Sequence, residues 1–162
     1  EYLQIARANC DSVGGIMECK VTGLPAGLGD TVFEKLDANL AKAIMSIGAV
    51  KAVEIGDGVN VAFSYGSDNN DAFFMNDDEI AKKTNHAGGI LGGMTTGMPL
   101  VFRAAFKPTP SIAREQDTVS LSKMENAKLS VRGRHDPCVV LRALPVVEAA
   151  TAIAIVDMLL DG

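Results

Sequence analysis

The stretch PLVFRAAFKP, Pro99 to Pro108, alternates along its length. Leu100, Phe102, Ala104 and Phe106 fall on one side of an extended chain, and Val101, Arg103, Ala105 and Lys107 on the other. This pattern predicts a strand with one greasy face and a second face that ends in cations. Immediately upstream, AGGILGGMTTG places five glycines between Ala87 and Gly97. Glycines at that density let backbone come close to a ligand or to another strand. Immediately downstream, KPTPS (Lys107, Pro108, Thr109, Pro110, Ser111) kinks the chain and gathers an ammonium and two hydroxyls. Such a loop can hold a phosphate or the polar edge of a flat ring.

Further from this strand, SVGGIMECKVTG alternates after its glycines, with Met17, Cys19 and Val21 on one face, and reads as a half-buried strand. Thr31 to Ile47 reads as a helix: Thr31 and Glu34 have capping-box spacing, and Phe33, Leu36, Leu40, Ile44 and Ile47 form a stripe that Gly48 ends. AVKAVEIG and NVAFSYG read as two strands joined around Gly56-Asp57-Gly58. The polar segment from Gly66 to Gly89 reads as a long loop, either a lid or contact arm or a solvated connection. PVVEAATAIAIVDMLL, from Pro145, reads as a core helix buried on most sides, with an apolar stretch shorter than the ~20 residues that cross a bilayer. Hairpins rather than repeated βαβ units predict an α+β fold, an antiparallel sheet with helices packed on one face.

The 162 residues suffice for one domain with its own core. With 48% hydrophobic and 22% charged residues the composition is ordinary for a globular chain. A net charge of −5 gives no support to a nucleic-acid partner, which requires clustered Lys and Arg. Three cysteines without CxxC spacing point to reduced thiols and a cytoplasmic location; His135 and Cys138 have HxxC spacing, but with His86 the only other histidine no set of zinc ligands is expected. The opening EYLQIARANCDSVGG has neither the basic nor the apolar region of a signal peptide and reads as the interior of a longer chain. No membrane partner is expected.

Chemistry concentrates in NHAGGILGG, KPTPS and RGRHDPCVV, which runs from Arg132 to Val140. Arg134 offers a planar fork for phosphate or carboxylate, and Asp136 can exchange a proton if partly desolvated. His135 fits a hydrogen-bonded structural role. Read alone, RGRHDP is better accounted for by a plain turn with a surface Arg–Asp pair. Neither a Walker A sequence nor a GxSxG elbow occurs.

Taken together and in order, VFEKLDANLAKAIMSIGAVKAVEIGDG, NHAGGILGG, KPTPS and GRHDPCVVLRALPVVEA resemble the C-terminal half of the chorismate synthase family over nearly the whole chain. The resemblance implies a phosphate-eliminating lyase of the shikimate pathway, which supplies aromatic amino acid biosynthesis. It converts 5-enolpyruvylshikimate 3-phosphate to chorismate with reduced FMN, NADP being a further associated nucleotide. It implies a homotetramer and a fold that sandwiches helices between sheets. By motif it assigns FMN contacts to Gly48 and Ala49, where relatives commonly carry Asn in place of Gly48, to Gly92, to Lys107, Pro108, Thr109, Pro110 and Ser111, and to Arg134. Asp136 receives the role of assisting proton removal near the flavin. The family's GESHG-type and RxSxRET-type segments, which hold its acid histidines, are not among these residues. The resemblance therefore implies a fragment, residues 1–162 being the C-terminal portion of one domain, inactive without the N-terminal half. The alternative reading is a non-catalytic domain that binds an anionic metabolite or serves assembly.

Overall fold

The computed structural model describes residues 1–161. Strand β7 (Leu100–Phe106) lies in the middle of a three-stranded antiparallel sheet, between β1 (Gly15–Val21) and β2 (Val50–Ile55). The alternation in β7 is realised without exception: Leu100, Phe102, Ala104 and Phe106 are buried and the residues between them half-buried. Register pairs Met17 with Ala104 and Cys19 with Phe102. On the other edge it pairs Val53 with Ala104 and Ile55 with Phe102, so one face is apolar across all three strands. A register shift between Val50 and Ala52 leaves Lys51 without a partner, a bulge at the end of the edge strand.

Two helices close that face. From α2 (Leu36–Met45), Leu36, Leu40 and Ile44 are fully buried. From α4 (Val140–Asp161), Ala143, Val147, Thr151, Ala154 and Ile155 are buried. The architecture is the expected α+β arrangement of antiparallel sheet and packed helices. A short helix α1 (Tyr2–Ala8) precedes the sheet; no periodic pattern announced it.

Four expectations are corrected. Helix α2 begins at Leu36, not Thr31, and has no side-chain cap. The Thr31 N–H donates to Asp30 Oδ1 (2.6 Å), Val32 lies at φ +65°, and Glu34 accepts from Asn39 Nδ2 (3.0 Å). The orphan N–H of Leu36 is instead satisfied by the carbonyl of Gly93 (2.8 Å), and Phe33 is 84% exposed. Tertiary contact thus replaces the local cap.

NVAFSYG is not a strand: Gly58–Phe63 forms a 3-10 helix, and Gly66–Asn69 a single turn, α3. The Asp57 N–H donates to the His86 carbonyl (2.9 Å), and the Asp57 carboxylate meets the His86 ring. The turn at Gly56–Gly58 is drawn toward residue 86 and does not close a hairpin onto β2. Nor is the segment from Gly66 to Gly89 structureless, since β3 (Phe73–Asn76) and β4 (Glu79–Lys82) form a hairpin. Two more hairpins follow, β5 (Ile90–Leu91) with β6 (Met94–Thr95), and β8 (Gln116–Ser120) with β9 (Glu125–Leu129).

The fourth correction concerns α4. It starts five residues before Pro145, which lies inside the helix, and Val140–Leu160 is long and apolar enough to cross a bilayer by length and composition. It is not buried on most sides, because Leu141, Ile153, Val156 and Leu160 are exposed. Sheet and α2 cover one side only, and among the described residues nothing covers the other.

Candidate functional site

At the C-terminal end of β7 the chain leaves the sheet as KPTPS. The Lys107 N–H donates to the Ala49 carbonyl (2.8 Å), which joins this loop to the turn between α2 and β2. Ala49 sits at φ +72°, a left-handed conformation that costs an L-residue about 1–2 kcal/mol. Neighbouring structure must hold it there, and such strain collects at functional positions. On the other side, Ser12 Oγ donates to the Thr109 carbonyl (2.6 Å) and the Val13 N–H to the Pro137 carbonyl (2.8 Å). Gly14 permits this approach, since a Cβ there would lie 2.3 Å from the Phe106 carbonyl oxygen. The Val131 N–H donates to Ile112 (3.1 Å) and Ser130 Oγ to Ala113 (2.6 Å). Segments 12–14, 48–49, 107–113 and 130–137 are thereby tied into one patch.

Within the patch, Lys107 and Arg134 are exposed, and neither side chain has a hydrogen-bond or ion-pair partner among the described residues. Thr109, Ser111 and Asp136 are half-buried. Two uncommitted cations beside two hydroxyls, on a loop that prolines stiffen, make a donor set suited to a flat anionic ligand. His135 is structural, as expected: its Nε2–H donates to the Val131 carbonyl (2.8 Å).

Asp136 does not pair with Arg134. Its Oδ2 accepts from Arg142 Nη1 (2.7 Å), in the first turn of α4. The hydrogen bond from Asp136, reinforced by its charge, raises the Arg142 guanidinium above its ordinary range. Arg142 was overlooked in the sequence because it follows six positions later, inside an apolar run. Ser12 and Val13 were overlooked because their part is played through backbone.

The patch does not include Gly92. Gly92 lies in the β5–β6 turn, beside the Gly93 carbonyl that meets the start of α2, whereas Gly48 follows the end of α2. Seven residues of β7 separate the two ends of the sheet, about 20 Å. A cleft of about 730 Å³ between α2 and α4, lined by Asp30, Lys42, Ser46 and Asp157, contains none of the sequence-selected residues.

NHAGG has a different occupation. His86 Nδ1–H donates to Asp57 Oδ2 (2.6 Å) and Asn85 Nδ2 to the Pro99 carbonyl (2.8 Å). Asp71 accepts from Thr84 Oγ1 (2.8 Å) and from the N–H groups of His86 (2.7 Å) and Ala87 (3.1 Å). Partial burial opposes its charge, but those donors, with Lys82 nearby, outweigh it and hold the carboxyl below its ordinary value. Gly88 and Gly89 approach backbone of Gly56 and Pro99, so the close contact they permit is with other backbone. Burial pushes the Cys19 thiol up, Thr151 pulls it down and Glu148 adds to the rise, which disfavours a nucleophilic thiolate.

Residues 1–160 match a family model described as chorismate synthase. The chain is 61% identical over 160 residues to a chorismate synthase of Agathobacter rectalis, covering 99% of this chain and 43% of that protein. It is 56% identical over 153 residues to a chorismate synthase of Archaeoglobus fulgidus, covering 94% of this chain and 42% of that one. A crystal structure of chorismate synthase superposes with a TM-score of 0.79 at 31% identity, over 99% of this chain and 41% of that one. The chain therefore spans less than half the length of the relatives it matches.

Proposed function

This chain belongs to the chorismate synthase family, and from that premise we propose that it supplies one wall of the site at which 5-enolpyruvylshikimate 3-phosphate loses phosphate and a proton to give chorismate. The observation that carries the reading is the patch itself: the hydrogen bonds of Ser12, Val13, Ser130 and Val131 hold segments 107–113 and 130–137 together although the sequence separates them, and neither Lys107 nor Arg134 has a side-chain partner among the described residues.

In that reaction a C–O bond breaks with its electron pair leaving on phosphate, and a C–H proton is removed. Charge grows on the departing oxygen, and preorganised cations at such a position stabilise the transition state more than the ground state. Lys107 and Arg134 fill that role or hold the anionic groups of the cofactor. Thr109 and Ser111 orient the ligand edge through hydroxyls and N–H groups, since Pro108 and Pro110 have no N–H to give. Asp136 receives and returns a proton at its carboxylate, and Arg142 keeps that carboxylate oriented. Reduced FMN, when bound, lends electron density to the breaking bond and recovers it afterwards. The donor set of the patch fits it, with Gly48 and Ala49 offering backbone beside Lys107. Gly92, by contrast, would contribute from the far end of the sheet.

Because the chain spans under half of its relatives, the remaining acid groups belong outside it in this proposal, and residues 1–162 alone do not turn over. The active assembly is a homo-oligomer. The test is anaerobic assay of the complete protein with reduced FMN and 5-enolpyruvylshikimate 3-phosphate. Equal molar release of chorismate and phosphate is expected there, and none from this chain alone. Failure of the complete protein to release phosphate would remove the reading.

A further inference from the structure

The hairpin of β3 and β4 stands off the body of the molecule with its apolar side in water. Register pairs Phe73 with Lys82 and Met75 with Ile80, so these four side chains share one face. Phe73, Met75 and Ile80 are 65%, 64% and 74% exposed, and Lys82 Nζ lies 4.9 Å from the centre of the Phe73 ring. An isolated two-stranded hairpin is marginal in water and requires something to pack on. The segment that precedes the hairpin in the chain is equally bare, with Val59 and Phe63 of the 3-10 helix and Tyr65 after it exposed.

The charges on the arm indicate what packs there. Asp77 and Asp78 occupy the tip; Lys82 and Lys83 occupy the base, about 13 Å away along four strand residues. A surface whose two ends carry opposite charges around an apolar centre is complementary to itself turned through 180°, as a two-fold interface requires. We propose that this arm is an oligomer contact: two copies pack their β3–β4 faces antiparallel, Met75 and Ile80 at the two-fold axis, each acidic tip over the other's lysines. The inference rests on the homo-oligomeric reading above and assigns it a surface. The arm alone is small beside the ~800 Å² per partner of a stable interface, so residues 59–65 extend the contact.

Sedimentation velocity on the complete protein tests this. Ile80→Lys, on an exposed side chain, leaves the protomer folded by circular dichroism and raises the dissociation constant roughly tenfold or more by burying charge at the apolar centre. Asp78→Lys and Lys82→Glu each weaken association roughly tenfold by setting like charges together, and combined in one chain they return it to within about threefold of the parent. An oligomer that none of these variants weakens, or a pair of charge reversals that fails to rescue, overturns the arm contact while leaving oligomerisation intact. A protein monomeric at all concentrations overturns both.

Discussion

Asp136 lies between a structural duty and a chemical one. Its carboxylate holds Arg142 in the first turn of α4, and Lys107 and Arg134 of the same patch have no side-chain partner among the described residues. If its function is proton transfer, Asp136→Asn in the complete protein keeps the size and loses the basicity. Turnover should fall by about 10²–10⁴-fold while FMN affinity changes little. Titrating flavin and measuring initial rates on the same preparation separates the two. Arg134→Lys tests the planar fork: FMN affinity should drop and not be restored by raising pH or lowering salt, because an ammonium cannot replace two parallel N–H donors. Wild-type affinity in that variant would make Arg134 a bystander. Asp71 makes a third residue-scale prediction. Its folded carboxyl lies below the ordinary 3.8, so the stabilisation it provides is fully present above that value and is lost as pH falls through the lower folded value. The melting temperature of Asp71→Asn should therefore lie below the parent's near neutrality, and the two curves should converge in strong acid.

Helix α2 shows how an element can keep its stripe and lose its predicted start. Leu40 is fully buried between sheet and α4, so Leu40→Ala should cost about 2–5 kcal/mol in urea unfolding. Thr31, by contrast, lies outside the helix and caps nothing, so Thr31→Ala should fall within about 0.5 kcal/mol of the parent. A cap at Thr31 would predict a loss near 1 kcal/mol, which the same titration resolves. The difference arises because Gly93 presents its carbonyl to the Leu36 N–H from a segment more than fifty residues away.

For the whole molecule the decisive feature is the uncovered side of α4. Leu141, Ile153, Val156 and Leu160 stand in water on a helix whose other side is core. An apolar surface of that kind drives association when nothing covers it. Residues 1–162 expressed alone should therefore self-associate, and Ile153→Lys should reduce that association in light scattering without lowering the melting temperature. Ile153 is 70% exposed, so the substitution removes little buried area.

How much of this was legible beforehand follows from the range of the forces involved. Strand β7 was readable because alternation is a local property of a chain with period two, and burial of one face enforces it. The α2 stripe and the α+β class followed from the same kind of periodicity. KPTPS and GRHDP were recognisable as segments, since their residue types are chemical wherever they fall. The sequence did not contain their meeting through Ser12 and Val13, the pairing of Asp136 with Arg142 rather than Arg134, or the distance of Gly92 from the rest. Those depend on hydrogen bonds between backbone groups, which every residue carries alike, and on which end of a strand each loop reaches. NHAGG shows the same limit from the other direction. Its asparagine and histidine looked available for chemistry, and the fold assigned them to Pro99 and Asp57. Residue type and period determined which segments fold and which carry chemistry; only tertiary packing decided which of them face one another, because that choice is made by partners distant in the chain.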